Sequence, residues 1–121
     1  MPALDTVGQY LEESRRLLQD EIAPYRYPDD DLVDALNIAL LEARRLRADL
    51  FLPLFTLEWF DPAAAIATTK AKKVTIDPMY RQSIVYYIVG RAQLRDDEST
   101  TDARAASLIT KFTAQLLTIQ S

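Results

Sequence analysis

Residues 78–95 set the hardest constraint on what this chain can fold into. Asp77 followed by Pro78 reads as an N-cap and a proline in the first helical turn, each favoured there on physical grounds. Met79, Ser83, Tyr86, Tyr87, Gly90 and Leu94 then fall on one side of a helix, and Ile84, Val85, Ile88 and Val89 widen the apolar surface until it is greasy nearly all round. Such a helix has no face to give to water. It predicts a central position, with other helices covering it on every side.

Three further helices fit that demand. Thr6 and Gln9 have the spacing of a capping box, and Val7, Tyr10, Leu11, Ser14, Leu17 and Leu18 repeat with helical period over residues 6–20. Glu12, Glu13, Arg15, Arg16 and Gln19 form the opposite, polar face. Gly8 in the first turn costs about 1 kcal/mol against Ala, and the sequence offers no reason for it. Residues 23–28, with Pro24 and Pro28 bracketing Tyr25 and Tyr27, read as an ordered, extended connection. Leu32, Val33, Leu36, Ala39, Leu40, Ala43, Leu46 and Leu50 then mark one broad face of a helix over 30–50. Asp29, Asp30 and Asp31 at its start and Arg44, Arg45 and Arg47 at its end match the helix dipole. After a polar loop at 96–101, Ala105, Leu108, Ile109, Phe112, Leu116 and Ile119 give a last helix over 102–120.

Between the second and third helices, residues 51–76 lose the helical pattern. Phe51, Leu52, Leu54, Phe55, Trp59 and Phe60 are apolar, Asp61-Pro62 is a turn signal, and Lys70 to Ile76 ends in β-favouring alternation through Val74 and Ile76. Residues 63–67 suit a short helical turn, but no long amphipathic helix fits. The expected fold is therefore all-α: a four-helix, bundle-like single domain over 1–121 with a long extended or β-containing arm at 51–76. A connection of this length in a small domain is unusual and tends to be functional. Two readings of its aromatics stand side by side: local core folded back over the bundle, or an arm buried against another subunit, where aromatic anchors are enriched. A strand at Val74 to Ile76 could likewise pair with a neighbouring chain.

Composition excludes much chemistry. The 121 residues contain no His and no Cys, which removes Ser-His-Asp and Cys-His nucleophile systems, imidazole or thiolate zinc sites and redox cysteine pairs. With only Gly8 and Gly90 there is no glycine-rich phosphate loop. The acids at Asp29, Asp30, Asp31 and Asp34 lack the Gly and terminal Glu of a calcium loop, and capping and the helix dipole account for them. Glu12-Glu13 and Glu42 do not complete the paired-carboxylate motifs of helical magnesium phosphohydrolases, since Arg16 and Arg45 stand where acids would be needed. No catalytic residue, metal ligand or cofactor is expected.

A net charge of −4 opposes a protein whose main task is gripping nucleic acid. Lys70, Lys72 and Lys73 form one acid-free basic strip, either a solvated strand or loop, or a contact for an acidic neighbour or for DNA passing unread. The first residues lack a secretory pattern, and the apolar runs at 50–55 and 84–89 are too short to cross a bilayer, so the expectation is a soluble chain kept in a cytoplasm, without membrane contact.

Two blocks of the chain resemble a known family. Leu17-Leu18-Gln19-Asp20-Glu21-Ile22-Ala23-Pro24-Tyr25-Arg26-Tyr27-Pro28-Asp29-Asp30-Asp31-Leu32-Val33, continuing through Ala35-Leu36-Asn37 to Glu42-Ala43-Arg44-Arg45-Leu46-Arg47-Ala48-Asp49-Leu50-Phe51, is similar to the opening of the small helical head-to-tail adaptors of tailed bacteriophages. Ile76-Asp77-Pro78-Met79-Tyr80-Arg81-Gln82-Ser83, then Tyr87, Gly90-Arg91-Ala92 and Asp96, then Ala103-Arg104-Ala105-Ala106 and Phe112, is similar to their closing helix pair. The resemblance implies a virion structural protein and not an enzyme. It would form a homo-oligomeric ring, usually of twelve copies, beneath the portal protein, joining capsid to a tail or nozzle protein while DNA passes through its channel. Its place would be the head-tail connector of the virion, assembled in the host cytoplasm. The middle segment is shorter than the strand-rich insertions of larger relatives. On this reading Phe51, Leu52, Leu54, Phe55, Trp59, Phe60, Val74 and Ile76 are candidate intersubunit or portal and tail contacts, and Lys70, Lys72 and Lys73 candidate contacts to channel DNA or an acidic partner. The alternative is a stand-alone helical interaction or regulatory domain with weak DNA binding.

Overall fold

Thr6 starts the first helix as its spacing predicts. In the computed structural model, which describes residues 5–22, 25–51, 59–61, 66–95 and 102–118, the Thr6 hydroxyl accepts the Gln9 N–H at 3.2 Å and the Gln9 side-chain oxygen accepts the Thr6 N–H at 2.7 Å. This capping box opens α1 (Val7–Leu18). The helix ends at Leu18 and not at 20, because Gln19 turns into the left-handed region (φ 57°). There its N–H and that of Asp20 reach back to the carbonyls of Arg16 and Arg15. A non-glycine residue in that conformation costs on the order of 1 kcal/mol, which the contacts of the following corner must offset.

α2 (Asp29–Leu46) has Pro28 in the cap position with no side-chain cap bond, and Asp29, Asp30 and Asp31 lie inside its first turn. The three acids therefore act through the helix dipole and not as caps. This corrects the capping expected of them. The helix stops at Leu46, short of 50; Arg47 leaves helical dihedrals, and Ala48–Phe51 tightens into a 3-10 turn that carries Phe51 into the core. Arg47 braces this end by donating to the Leu116 carbonyl at 2.9 Å while its guanidinium also pairs with Asp49.

Residues 51–76, expected to be extended or β-containing, include a short helix, α3 (Ile66–Ala71). Extended pairing among the described residues is limited to an isolated antiparallel bridge between Thr6 and Lys73. It is held by Val7 N–H to Lys72 O at 2.9 Å and Val74 N–H to Asp5 O at 2.8 Å. Gly8 finds its reason here: a Cβ on it would stand 3.3 Å from both the Cβ and the carbonyl oxygen of Lys70. The glycine lets α3 lie close against the first turn of α1.

Asp77 accepts the Met79 N–H at 3.0 Å and caps a 3-10 turn, Pro78–Tyr80, which leads into α4 (Arg81–Arg95). Helix α4 is central as its composition demands: Ile84, Val85, Ile88 and Val89 are wholly buried, and it packs on α1, α2 and α5 (Asp102–Thr118). The described residues thus form an all-α fold. Each such side chain contributes about 1.5–3 kcal/mol through burial. The Tyr87 ring meets Phe112 edge-on, with centroids 4.9 Å apart, and Ser83 on the same side donates to the Gln115 side-chain oxygen at 3.2 Å.

The α4–α5 approach depends on Gly90. A Cβ there would fall 2.9 Å from Ile109 Cγ1 and 3.0 Å from the Ala105 carbonyl oxygen. The side chain can yield, but the carbonyl belongs to the backbone of α5. In an open helix Gly→Ala would gain about 1 kcal/mol; at this crossing the sign reverses. Gly90→Ala is expected to lower unfolding stability by about 1–2 kcal/mol, read as a lower urea midpoint at unchanged slope.

Candidate interaction site

The aromatic segment divides into what the chain keeps and what it displays. Phe51, Phe60, Val74 and Ile76 are at most 2 % exposed, packed into the chain's own core, whereas Trp59 is 53 % exposed. Leu52, Leu54 and Phe55 lie outside the described residues. The cause of the division is Asn37, buried in the middle of α2. Its amide donates to the Phe60 carbonyl at 2.7 Å, and its oxygen accepts the Phe60 N–H at 2.9 Å. The side chain thus mimics one rung of a sheet and pins Phe60 inward. Next along, the Asp61 carbonyl accepts the Thr69 hydroxyl at 3.1 Å. Trp59 is therefore held out on a backbone fastened to both α2 and α3.

The alternation at Val74 and Ile76 serves the same chain: both side chains point into the core, and the Val74 N–H is taken by Asp5. The basic strip is likewise partly spent at home. Lys70 places its ammonium 3.3 Å from Asp29, while Lys72 and Lys73 are exposed on either side of the bridge backbone. The three lysines are brought together along one segment, but Lys70 faces a carboxylate at the start of α2.

That carboxylate belongs to a network the sequence pattern concealed. Arg15, assigned by spacing to the polar face of α1, is buried. Its guanidinium donates to Asp20 at 2.9 Å, to the Tyr27 carbonyl at 2.9 Å and to Asp29 at 2.7 Å. Asp20 in turn accepts the backbone N–H groups of Arg26 and Tyr27 at 2.8 and 2.9 Å. One arginine thereby ties the end of α1, the connection after it and the start of α2 into a single braced corner. The signal available in sequence was the pair of acids flanking the proline-tyrosine connection; for Asn37 it was a lone amide among the apolar positions of α2.

The outside of this corner is unusual. Ile22 is 85 % exposed and Tyr25 42 % exposed, with the Arg15 guanidinium 3.8 Å from the Tyr25 ring centroid. A shallow cleft of about 180 Å³ opens beside it, lined by Glu12, Arg15, Arg16, Glu21 and Tyr25. A second depression is lined by Gln19, Asp20, Glu21 and Ile22. The exposed anchors Trp59, Ile22 and Tyr25 are suited to noncovalent docking. Among the described residues no group of three or more acids is arranged to hold a metal ion, and no helix is long and apolar enough to cross a membrane. Comparison with protein-family models, curated proteins and solved structures found no match.

Two outcomes follow from the corner. Arg15→Met leaves Asp20 and Asp29 without their shared cation and is expected to lower stability by about 3–5 kcal/mol in urea unfolding, as for other broken buried pairs. At Asp29, burial works against ionisation, but hydrogen bonds from Arg15 and Lys70 and the charges of both outweigh it and hold its pKa below the ordinary 3.8. The unfolded chain then binds this proton more readily than the folded one. The contribution is fully present above about pH 4 and is lost as pH falls through the lowered value. Urea midpoints followed from about pH 5 to about pH 2 should fall less steeply for Asp29→Asn than for the parent chain.

Proposed function

We propose that this chain is a head-to-tail adaptor of a tailed bacteriophage: a virion structural protein that forms a ring beneath the portal and joins capsid to tail, with DNA passing through its channel. The reading rests on the resemblance of residues 17–51 and 76–112 to that family. The observation that carries it further is Trp59, an aromatic anchor displayed on a backbone that Asn37 and Thr69 fasten from within. A protein acting alone has little reason to hold its single tryptophan half in water. One that docks repeatedly gains from an anchor whose position is set beforehand.

In this proposal α1, α2, α4 and α5 are a four-helix body forming the ring wall, and the segment between α2 and α3 makes the contacts. The contact set narrows to Trp59 with Leu52, Leu54 and Phe55, because Phe51, Phe60, Val74 and Ile76 serve the core. Lys72 and Lys73 are the members of the basic strip best placed for an acidic partner or channel DNA. Work is done by surfaces and not by bond chemistry, and no cofactor is needed.

Deleting the whole segment would remove core side chains, so the informative test is a point change. Trp59→Ala, introduced into the virus encoding the chain, is expected to leave the isolated protein's helical circular dichroism intact while reducing correctly tailed particles about tenfold or more. Micrographs would show DNA-filled heads without tails. Normal numbers of tailed, infectious particles from a virus making only the variant would refute the assignment.

A further inference from the structure

We propose that the cleft at the α1–α2 corner receives Trp59 from a second copy of the chain, so that Ile22, Tyr25 and the cleft form one half of the subunit interface and the tryptophan the other. This deepens the ring reading and rests on it.

The chemistry of the cleft fits an indole. Tyr25 offers an aromatic ring, and Arg15 and Arg16 offer the planar cations that aromatic faces attract. Glu12 and Glu21 are carboxylates able to accept the one polar proton of an indole. Ile22, almost wholly exposed on the adjoining rim, supplies apolar cover for the ring edge. The frame is already ordered, since the Arg15 network fixes both ends of the corner. Filling the cleft therefore asks for little new ordering.

The occupant is on the same polypeptide but is not in place. Trp59 is absent from the residues lining the cleft and remains 53 % exposed. It is fastened through Asn37, two turns along α2 from the corner, a separation of about 12 Å. An anchor and its receptor held apart on one rigid body satisfy each other only between copies. The contact is then head-to-tail, the type that builds rings when the rotation closes.

Because Trp59 is the single tryptophan, its fluorescence reports the contact directly. The parent chain, Trp59→Ala and Ile22→Asp would be compared by sedimentation velocity over a concentration series, with Tyr25→Ala as a second cleft variant. The parent is expected to form species larger than a monomer, with tryptophan emission moving to shorter wavelength as it does so. Each variant alone should stay monomeric. An equimolar mixture of Trp59→Ala, which keeps its cleft, and Ile22→Asp, which keeps its tryptophan, should form a dimer and stop there. A parent chain that remains monomeric with unmoved emission up to its solubility limit overturns the proposal. So does a Trp59→Ala chain that associates like the parent, or a mixture that forms nothing while the parent associates. If Trp59→Ala blocks tail joining in particles while copies of the parent chain ignore one another, the adaptor reading stands and this interface falls.

Discussion

A helix with no face for water dictates the rest of the molecule. Once α4 is formed, its burial requires cover on every side, and α1, α2 and α5 are the cover. The requirement reaches down to single atoms. Gly90 is small because the α5 backbone passes within contact distance, Phe112 turns its ring edge-on to Tyr87, and Ser83 is given Gln115 as a partner. An unpartnered hydroxyl in that position would cost about 1–3 kcal/mol. Close packing along α4 leaves the covering helices little freedom, so the lengths and directions of their connections follow from it.

Polar groups then fix those connections. With two glycines in 121 residues, the chain makes its corners through hydrogen bonds more than through backbone permissiveness. Arg15 closes the α1–α2 corner, Asn37 closes the return of the middle segment, and Arg47 ties the end of α2 to the end of α5. Buried ion pairs of this kind add little net stability over a well-packed apolar replacement. Their effect is on uniqueness: a guanidinium with three acceptors in fixed directions admits one arrangement of the segments that bear them. The strained Gln19 is tolerated because the corner beyond it is over-determined.

This division of labour decides how much was legible in the sequence. Periodicity located the four long helices, and the local chemistry of Thr6 with Gln9 and of Asp77 with Pro78 located two of their starts, since both signals depend on residues close in sequence. Arg15 was misread because spacing reports where a side chain leaves the helix and not where a long one ends; its partners lie 5 and 14 residues away. Gly8 had no visible purpose until α3, more than fifty residues on, came against it. The middle segment was the least legible. Its aromatics carry no period, and which of them face inward depends on one amide 23 residues upstream. For the candidate site, Trp59 was visible as an anchor by residue type, whereas the corner cleft was assembled from residues that read separately as a polar helix face and a connection.

Adjacent residues with opposite fates are the point where fold passes into function. Phe60 and Trp59 are similar in chemistry, and only the clamp from Asn37 decides that one is core and the other surface. Because that clamp sits on α2, and the braced corner sits at the N-terminus of the same helix, both halves of the proposed interface share one rigid element. In a head-to-tail assembly, the angle between neighbouring copies is set by the angle between donor and receptor surfaces on each copy. Here that angle is fixed by the helical phase between Asp29 and Asn37, eight residues apart on α2, at about 100° per residue. Inserting or deleting one residue between them would leave each surface intact but rotate one relative to the other. Ring closure would then be lost before local docking, so α2 acts in this scheme as the gauge of the ring as well as a wall of the core.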